Sequence, residues 1–484
     1  MAASKDDSPP SNVPFNADSV RERARELAAD AFKEPDVALS GYFQDLNYDE
    51  YRSLRFRTER SLWRDDSLPF EVQFFHRGFI YRNRVDIYEV DHGSARLIPY
   101  SQDLFEFDKL KERPTERDTG FAGFRVHAPL NRRDYYDEVG VFLGASYFRA
   151  IARGQIYGLS ARGLSIGTGD PKGEEFPAFR TFWLERPART SKALVVHGLI
   201  DSKSAAAAVR ITIQPGSSTI FDVDLTTYPR VDIAQIGIGT LTSMFFFGAN
   251  DRAGVDDYRP AVHDSDGLAI QNGRGEQIWR PLTNPRDLQI SLFSDQSPRG
   301  FGLFQRERDF NAYQDLESRF ERRPSAWVEP LNDWGEGAIQ LLEIPTKEEI
   351  HDNVVAFWRP KDPLKAKSEY KYSYRIVWGA GAGDRRLSEF IKTRVGAGPE
   401  NTRRFILDVQ GASIRRANSD SIKATVTADK GEIRNLVLSP NPAAGGMRIS
   451  FELVTKKEPA IELRAQLMSE DKPISEVWLY RWTP

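Results

Sequence analysis

Two-residue alternation is what most restricts how this chain can fold. In TIFDVDL (219–225), Ile220, Asp222 and Asp224 fall on one side and Phe221, Val223 and Leu225 on the other, the period of a half-buried strand. VDIYEV (85–90), ALVVHGLI (193–200), AVRITIQPG (208–216) and EYKYSYRIVWG (369–379) are further strand-like runs, with Gly, Pro and Asp between them. Helical periodicity is scarce. Val20, Ala24, Leu27, Ala28, Ala31 and Phe32 share one face of Ala17–Lys33; Ser19 and Glu22 match a capping box and Pro35 marks a stop. Arg306–Phe320 is the best later helix candidate. Many strands and few helices predict an all-β chain built as a large, mostly antiparallel sandwich.

The glycines of GAGAGDRRLSEF (379–390) mark a turn or linker. FILDVQG (405–411), IKATVTADKGEIRNLVL (422–438), MRISFELV (447–454), AIELRAQLM (460–468) and SEVWLYRW (475–482) then crowd into the last segment. That spacing fits a small immunoglobulin-like sandwich. The expected organisation is a disordered lead at 1–15, a large β-sandwich at 16–385 and an immunoglobulin-like domain at 396–484.

Composition removes several function classes. Lys plus Arg is 67 against 70 for Asp plus Glu, so the basic excess of a nucleic-acid binder is missing. There is no Cys, which rules out disulfides, thiol nucleophiles and Cys-bound zinc. The six histidines form no HExxH motif or close pair, and neither a metal nor another cofactor is expected. No apolar run is long enough to insert in a membrane. The polar start MAASKDDSPPSNVPFN has no apolar export core. It fits either a cytosolic protein or a mature chain whose export signal has been replaced by an initiator Met.

GLSIG (163–167) has the G-x-S-x-G form of a hydrolase nucleophile at Ser165, but a turn-rich loop follows where a helix is required. What remains is a set of carboxylates, arginines and aromatics. Glycoside cleavage needs one carboxylic acid to protonate the leaving oxygen and a second group to activate the nucleophile. Asp264, in DYRPAVHDSDGL, follows the apolar run MFFFG. Asp352, in EEIHDN, lies just before VVAFW, with Asn353 between them. An acid at such a strand mouth is open to partial desolvation, which suits a general acid. The plain alternative for each is a turn former or cap. Trp279, Trp327, Trp334 and Trp358 fall in the same region and fit either sugar stacking or sandwich core.

The blocks LGASYFRA (143–150), YGLSARGLSI (157–166), GEEFPAFRTFWLERP (173–187), LTSMFFFG (241–248), DYRPAVHDSDGL (257–268), IWRPLTNP (278–285) and GFGLFQRERDFNAYQDLESRFERRPSAWVEP (300–330) resemble the osmoregulated periplasmic glucan biosynthesis family, MdoG/OpgG and OpgD. The resemblance covers nearly the whole chain. It implies a galactose-mutarotase-like β-sandwich followed by the immunoglobulin-like domain, and a periplasmic location. It implies action on the linear β-1,2-glucan backbone by an anomer-inverting mechanism, either endo-hydrolysis or transglycosylation with ring closure. Carried over by motif, Asp352 is the general acid, and Asp264 the general base acting through a relay that includes a substrate hydroxyl.

One position departs from the family pattern. Hydrolytic relatives carry Tyr where this chain has Phe320 before ERRP. Phe cannot relay a proton, so transglycosylation gains weight; the alternative is an aromatic packing swap. Tyr258, Arg259, Arg308, Asp309, Tyr313, Trp327 and Trp334 are the candidate sugar contacts, each within a family block. The competing reading is a non-catalytic glucan-binding scaffold that assists a membrane glucan synthase in synthesis and release.

Overall fold

The structure, a computed structural model, describes residues 12–35, 39–111, 113, 118–381, 383, 386–456 and 458–484. β-sheet dominates, as the alternation predicts. The chain divides into two compact units. The first comprises Met1–Arg153, Ala161–Ile238 and Asp362–Arg375, the second Gly154–Ser160, Gly239–Lys361 and Ile376–Pro484. No helix among the described residues is long and apolar enough to cross a membrane.

In the first unit, strands run side by side in the order Val13–Pro14, Ser94–Leu97, Asp86–Asp91, Ala178–Glu185, Leu194–Asp201, Ala205–Gln214, Thr219–Pro229. In the last of these Phe221, Val223 and Leu225 are buried and Asp224 is exposed, the two faces read from TIFDVDL. A second sheet joins Glu71–His76, Phe121–Pro129, Tyr136–Leu143 and Tyr147–Ala150 in antiparallel register. Phenylalanines lock the two sheets face to face. Phe124 meets Phe182 edge-on at 4.9 Å, and Phe148 stacks on Phe221 at 5.9 Å. Such pairs add to the burial of the rings themselves.

Of the expected lead at 1–15, residues 1–11 lie outside the described residues. Val13 and Pro14 pair with Ala95 and Ser94. The helix after them runs Ala17–Ala29, ending short of Pro35, and its cap lies one turn before the expected Ser19–Glu22 box. Asn16 accepts from the Ser19 N–H at 2.9 Å, and the Ser19 hydroxyl accepts from the Asn16 N–H at 3.2 Å. Val20 and Ala24 are buried in one cluster with Trp183, Leu199, Ala208 and Tyr228.

In the second unit, the order is Ser325–Pro330, Gly300–Phe304, Gly267–Gln271, Gln277–Pro281, Val477–Trp482, Ile461–Ser469, Ile422–Ala428. A four-stranded sheet, Glu389–Ala397, Arg403–Gln410, Gly446–Val454, Glu432–Asn441, contributes to the same core. Phe405 stacks on Phe451 at 4.9 Å and meets Trp478 edge-on at 6.1 Å. Gln289–Gln296, Glu336–Glu343 and Val354–Pro360 form a third antiparallel set.

One expectation fails here, and the reading of Ser165 as a loop or strand-end serine holds. Arg306–Phe320 is not a helix: it holds only the short 3-10 turn Phe310–Ala312, with another beginning at Phe320. Gln314 and Arg319 sit at φ of 58° and 45°, left-handed backbone that no helix interior tolerates. Ser165 lies buried in the two-residue strand Ser165–Ile166, followed by turns, so the strand–turn–helix setting of a nucleophilic serine is absent.

Candidate active site

The site grows from a short hairpin, Phe245–Phe247 against Val262–His263. Phe245 sits opposite His263 and their rings stack at 5.3 Å. Burial pushes the His263 imidazole down to about 4. Asp264 comes next; its N–H donates to the Met244 carbonyl at 2.8 Å, and the residue is 6% exposed. The Arg323 guanidinium lies 3.2 Å from its carboxylate and fixes the carboxylate's direction. Arg323 is itself held by the Ser318 carbonyl at 3.2 Å and covers the Phe320 ring at 5.1 Å. Phe320 is buried in one cluster with Met244, Phe247, Val262 and Tyr313.

Asp352 is exposed and stands two residues before Val354–Pro360. Its neighbour Asn353 is buried. The Asn353 amide accepts from the Phe245 N–H at 2.8 Å, and donates to the carbonyls of Phe245 and Ile344, each at 3.0 Å. Asp264 and the residue after Asp352 are therefore both hydrogen-bonded to the segment Met244–Phe245. The loop is also held upstream. Arg259 pairs with Asp257 at 2.8 Å, Asp315 at 3.0 Å and Glu349 at 2.7 Å. The hydrogen bond to Asp257 leads the effects that raise the guanidinium above its ordinary value. Glu349 precedes Asp352 by three positions, so the loop is anchored on both sides of the acid.

The other sequence candidates take different places. Tyr258 is 78% exposed beside Arg259. Arg308 donates to the backbone carbonyls of Glu321 and Arg323 and so braces the turn that carries Phe320. Asp309 is exposed and caps the 3-10 turn at Asn311. Tyr313 is buried, its hydroxyl donating to the Glu307 carbonyl at 3.2 Å and its ring edge-on to His263. Trp327 is buried edge-on to Phe304, and Trp334 is buried near Trp358. A polar groove of about 970 Å³, lined by Ser294, Ala338 and Arg359 among others, contains neither aspartate.

Arg323, Asn353 and Gln305 escaped the sequence reading. Gln305 is fully buried and bonds both the ring and the carbonyl of His263. Only the ERRP and HDN strings that hold Arg323 and Asn353 offered a signal, and nothing in them names a partner.

The family description "Periplasmic glucan biosynthesis protein, MdoG" matches residues 15–482. The chain is 57% identical to Glucans biosynthesis protein G of Rhodopseudomonas palustris over 475 residues, covering 98% of this chain and 94% of that one. It is 46% identical to the protein of the same name from Shewanella frigidimarina, over 97% and 85% of the two chains. For that of Vibrio cholerae the identity is 47%, over 97% and 87%. The chain belongs to the MdoG family of periplasmic glucan biosynthesis proteins.

Proposed function

We propose that the chain is a periplasmic, anomer-inverting enzyme acting on the linear β-1,2-glucan backbone. Its reaction is either endo-hydrolysis or transfer to a glucan hydroxyl, including ring closure. The observation that carries this reading is the attachment of both aspartate segments to Met244–Phe245. Asp352, exposed at the strand mouth, protonates the departing glycosidic oxygen. Asp264, oriented by Arg323, takes the proton released by the incoming oxygen through a substrate hydroxyl. Such a relay frees the carboxyls from the roughly 6.5–9.5 Å separation usual for inverting enzymes. The buried aromatic at 320 brings no hydroxyl to this path, which favours a sugar hydroxyl over water as acceptor.

The test is incubation with linear β-1,2-glucan, followed by mass spectrometry. New reducing-end oligosaccharides indicate hydrolysis, and products one water lighter than linear chains indicate cyclisation. Unaltered glucan after long incubation at high protein concentration overturns both and leaves the scaffold reading.

A further inference from the structure

Within the second unit lies a cavity of about 230 Å³ that neither Asp264 nor Asp352 lines. His263, Asp266, Trp279 and Glu307 form part of its wall, and Asn250, Lys392, Thr393 and Arg394 complete the polar set. Lys392 belongs to Glu389–Ala397, so the four-stranded sheet supplies one wall.

The hydrogen-bonding character of this wall follows from Gln305. Its amide nitrogen donates to the carbonyls of His263 at 2.8 Å and Phe320 at 3.1 Å. Its oxygen is therefore the atom that faces His263 Nδ1, at 2.8 Å. An amide oxygen only accepts, so Nδ1 carries the proton and Nε2 is left as an acceptor. Burial keeps the ring neutral down to about pH 4. Asn250 spends its amide nitrogen on the Leu282 carbonyl, and its oxygen is a further acceptor. Lys392 lies 2.9 Å from Glu307 and retains ammonium hydrogens to donate. Asp266 and Glu307 oppose an anion, and Lys392 and Arg394, the latter paired with Asp408 at 2.7 Å, oppose a cation. Donors and acceptors are mixed beside the indole of Trp279, the setting for a hydroxyl-rich neutral ligand. The volume is below the roughly 300–1,000 Å³ of sites for drug-sized ligands, which suits one ring rather than a chain.

We propose that this cavity binds a single neutral pyranose, or the terminal ring of a short oligosaccharide, at a place distinct from the aspartate pair. Only the choice of glucose as the probe rests on the carbohydrate reading above. The full chain is titrated calorimetrically with D-glucose and with the β-1,2-linked glucose disaccharide. Saturable binding is expected in the wild type and in Asp352→Asn alike. Lys392→Met weakens it about tenfold, the cost of one charge-assisted hydrogen bond. Ala312→Leu, which fills the cavity from its wall, abolishes it. Binding of the disaccharide alone, abolished by Ala312→Leu, supports the site and assigns it to a chain end.

Absence of saturable binding of either sugar to the wild type overturns the proposal, as does binding that both Lys392→Met and Ala312→Leu leave unchanged. Glucan turnover is measured on the same samples. Turnover without sugar binding sinks this site alone; sugar binding without turnover sinks the enzyme reading alone.

Discussion

Asn353 grips the backbone of Phe245 in both directions, accepting from its N–H at 2.8 Å and donating to its carbonyl at 3.0 Å. A side chain here does what a neighbouring strand does elsewhere. Asn353→Ala removes these bonds and the one to Ile344, leaving buried polar groups unpaired. The expected loss is about 3 kcal/mol, read as a lower unfolding midpoint. Glucan turnover falls as well, because Asp352 loses its downstream anchor. A variant with wild-type melting and wild-type turnover contradicts this role.

Asp352→Asn separates chemistry from binding. Removing a general acid typically costs about 10²–10⁴ in rate, and a neutral amide of the same shape leaves sugar contacts in place. The expected result is loss of turnover on linear β-1,2-glucan with glucan affinity retained, measured by product analysis and calorimetry. Turnover at the wild-type rate rejects the assignment.

Phe320→Tyr adds a hydroxyl to a ring that Arg323 covers at 5.1 Å, next to the guanidinium that pairs with Asp264. The product ratio is expected to move toward reducing-end oligosaccharides, because a proton acceptor for water becomes available. Mass spectrometry of the two product classes reads the shift. An unchanged ratio in a folded variant assigns Phe320 to packing alone.

Two neighbouring groups give stability opposite dependences on pH. Burial raises Asp266 to about 6, so the folded chain holds its proton longer than the unfolded one. Stability from this group is greatest below about pH 4 and is lost as pH rises through about 6, by at most on the order of 3 kcal/mol. Burial lowers His263 to about 4, so its contribution grows as pH rises from about 4 to 6.5. In Asp266→Asn only the histidine slope remains. Its melting midpoint relative to wild type is expected to be more favourable at about pH 8 than at about pH 4; thermal melts across that range check the sign.

The sheet was legible because alternation is local: Phe221, Val223 and Leu225 declare their face within seven residues. The first helix was legible along its buried face and at its first residue, Ala17, yet its cap was misplaced. Asn16 with Ser19 satisfies the same reciprocal geometry that Ser19 and Glu22 offer on paper. Arg306–Phe320 carries a helix-like mixture of residues, but Gln314 and Arg319 break the backbone, and composition does not reveal φ. The two aspartates stood out by context, whereas Arg323 did not. It meets Asp264 across 59 positions, and no periodicity encodes such a pairing. The burial of Tyr313, Trp327 and Trp334 was equally hidden, since an aromatic string reads alike in a core and in a cleft.

The hairpin pairing of Phe245 with His263 has a wider consequence. Successive side chains of an extended segment point to opposite sides, and a slip of one residue exchanges the two sides. Displaced by one position, this hairpin would present the His263 imidazole where the Asp264 carboxylate now stands, and turn that carboxylate toward Gln305. The ring of Phe245, stacked on His263, and the amide of Asn353, bonded to the Phe245 backbone, thus hold one residue from two directions, and both oppose such a slip.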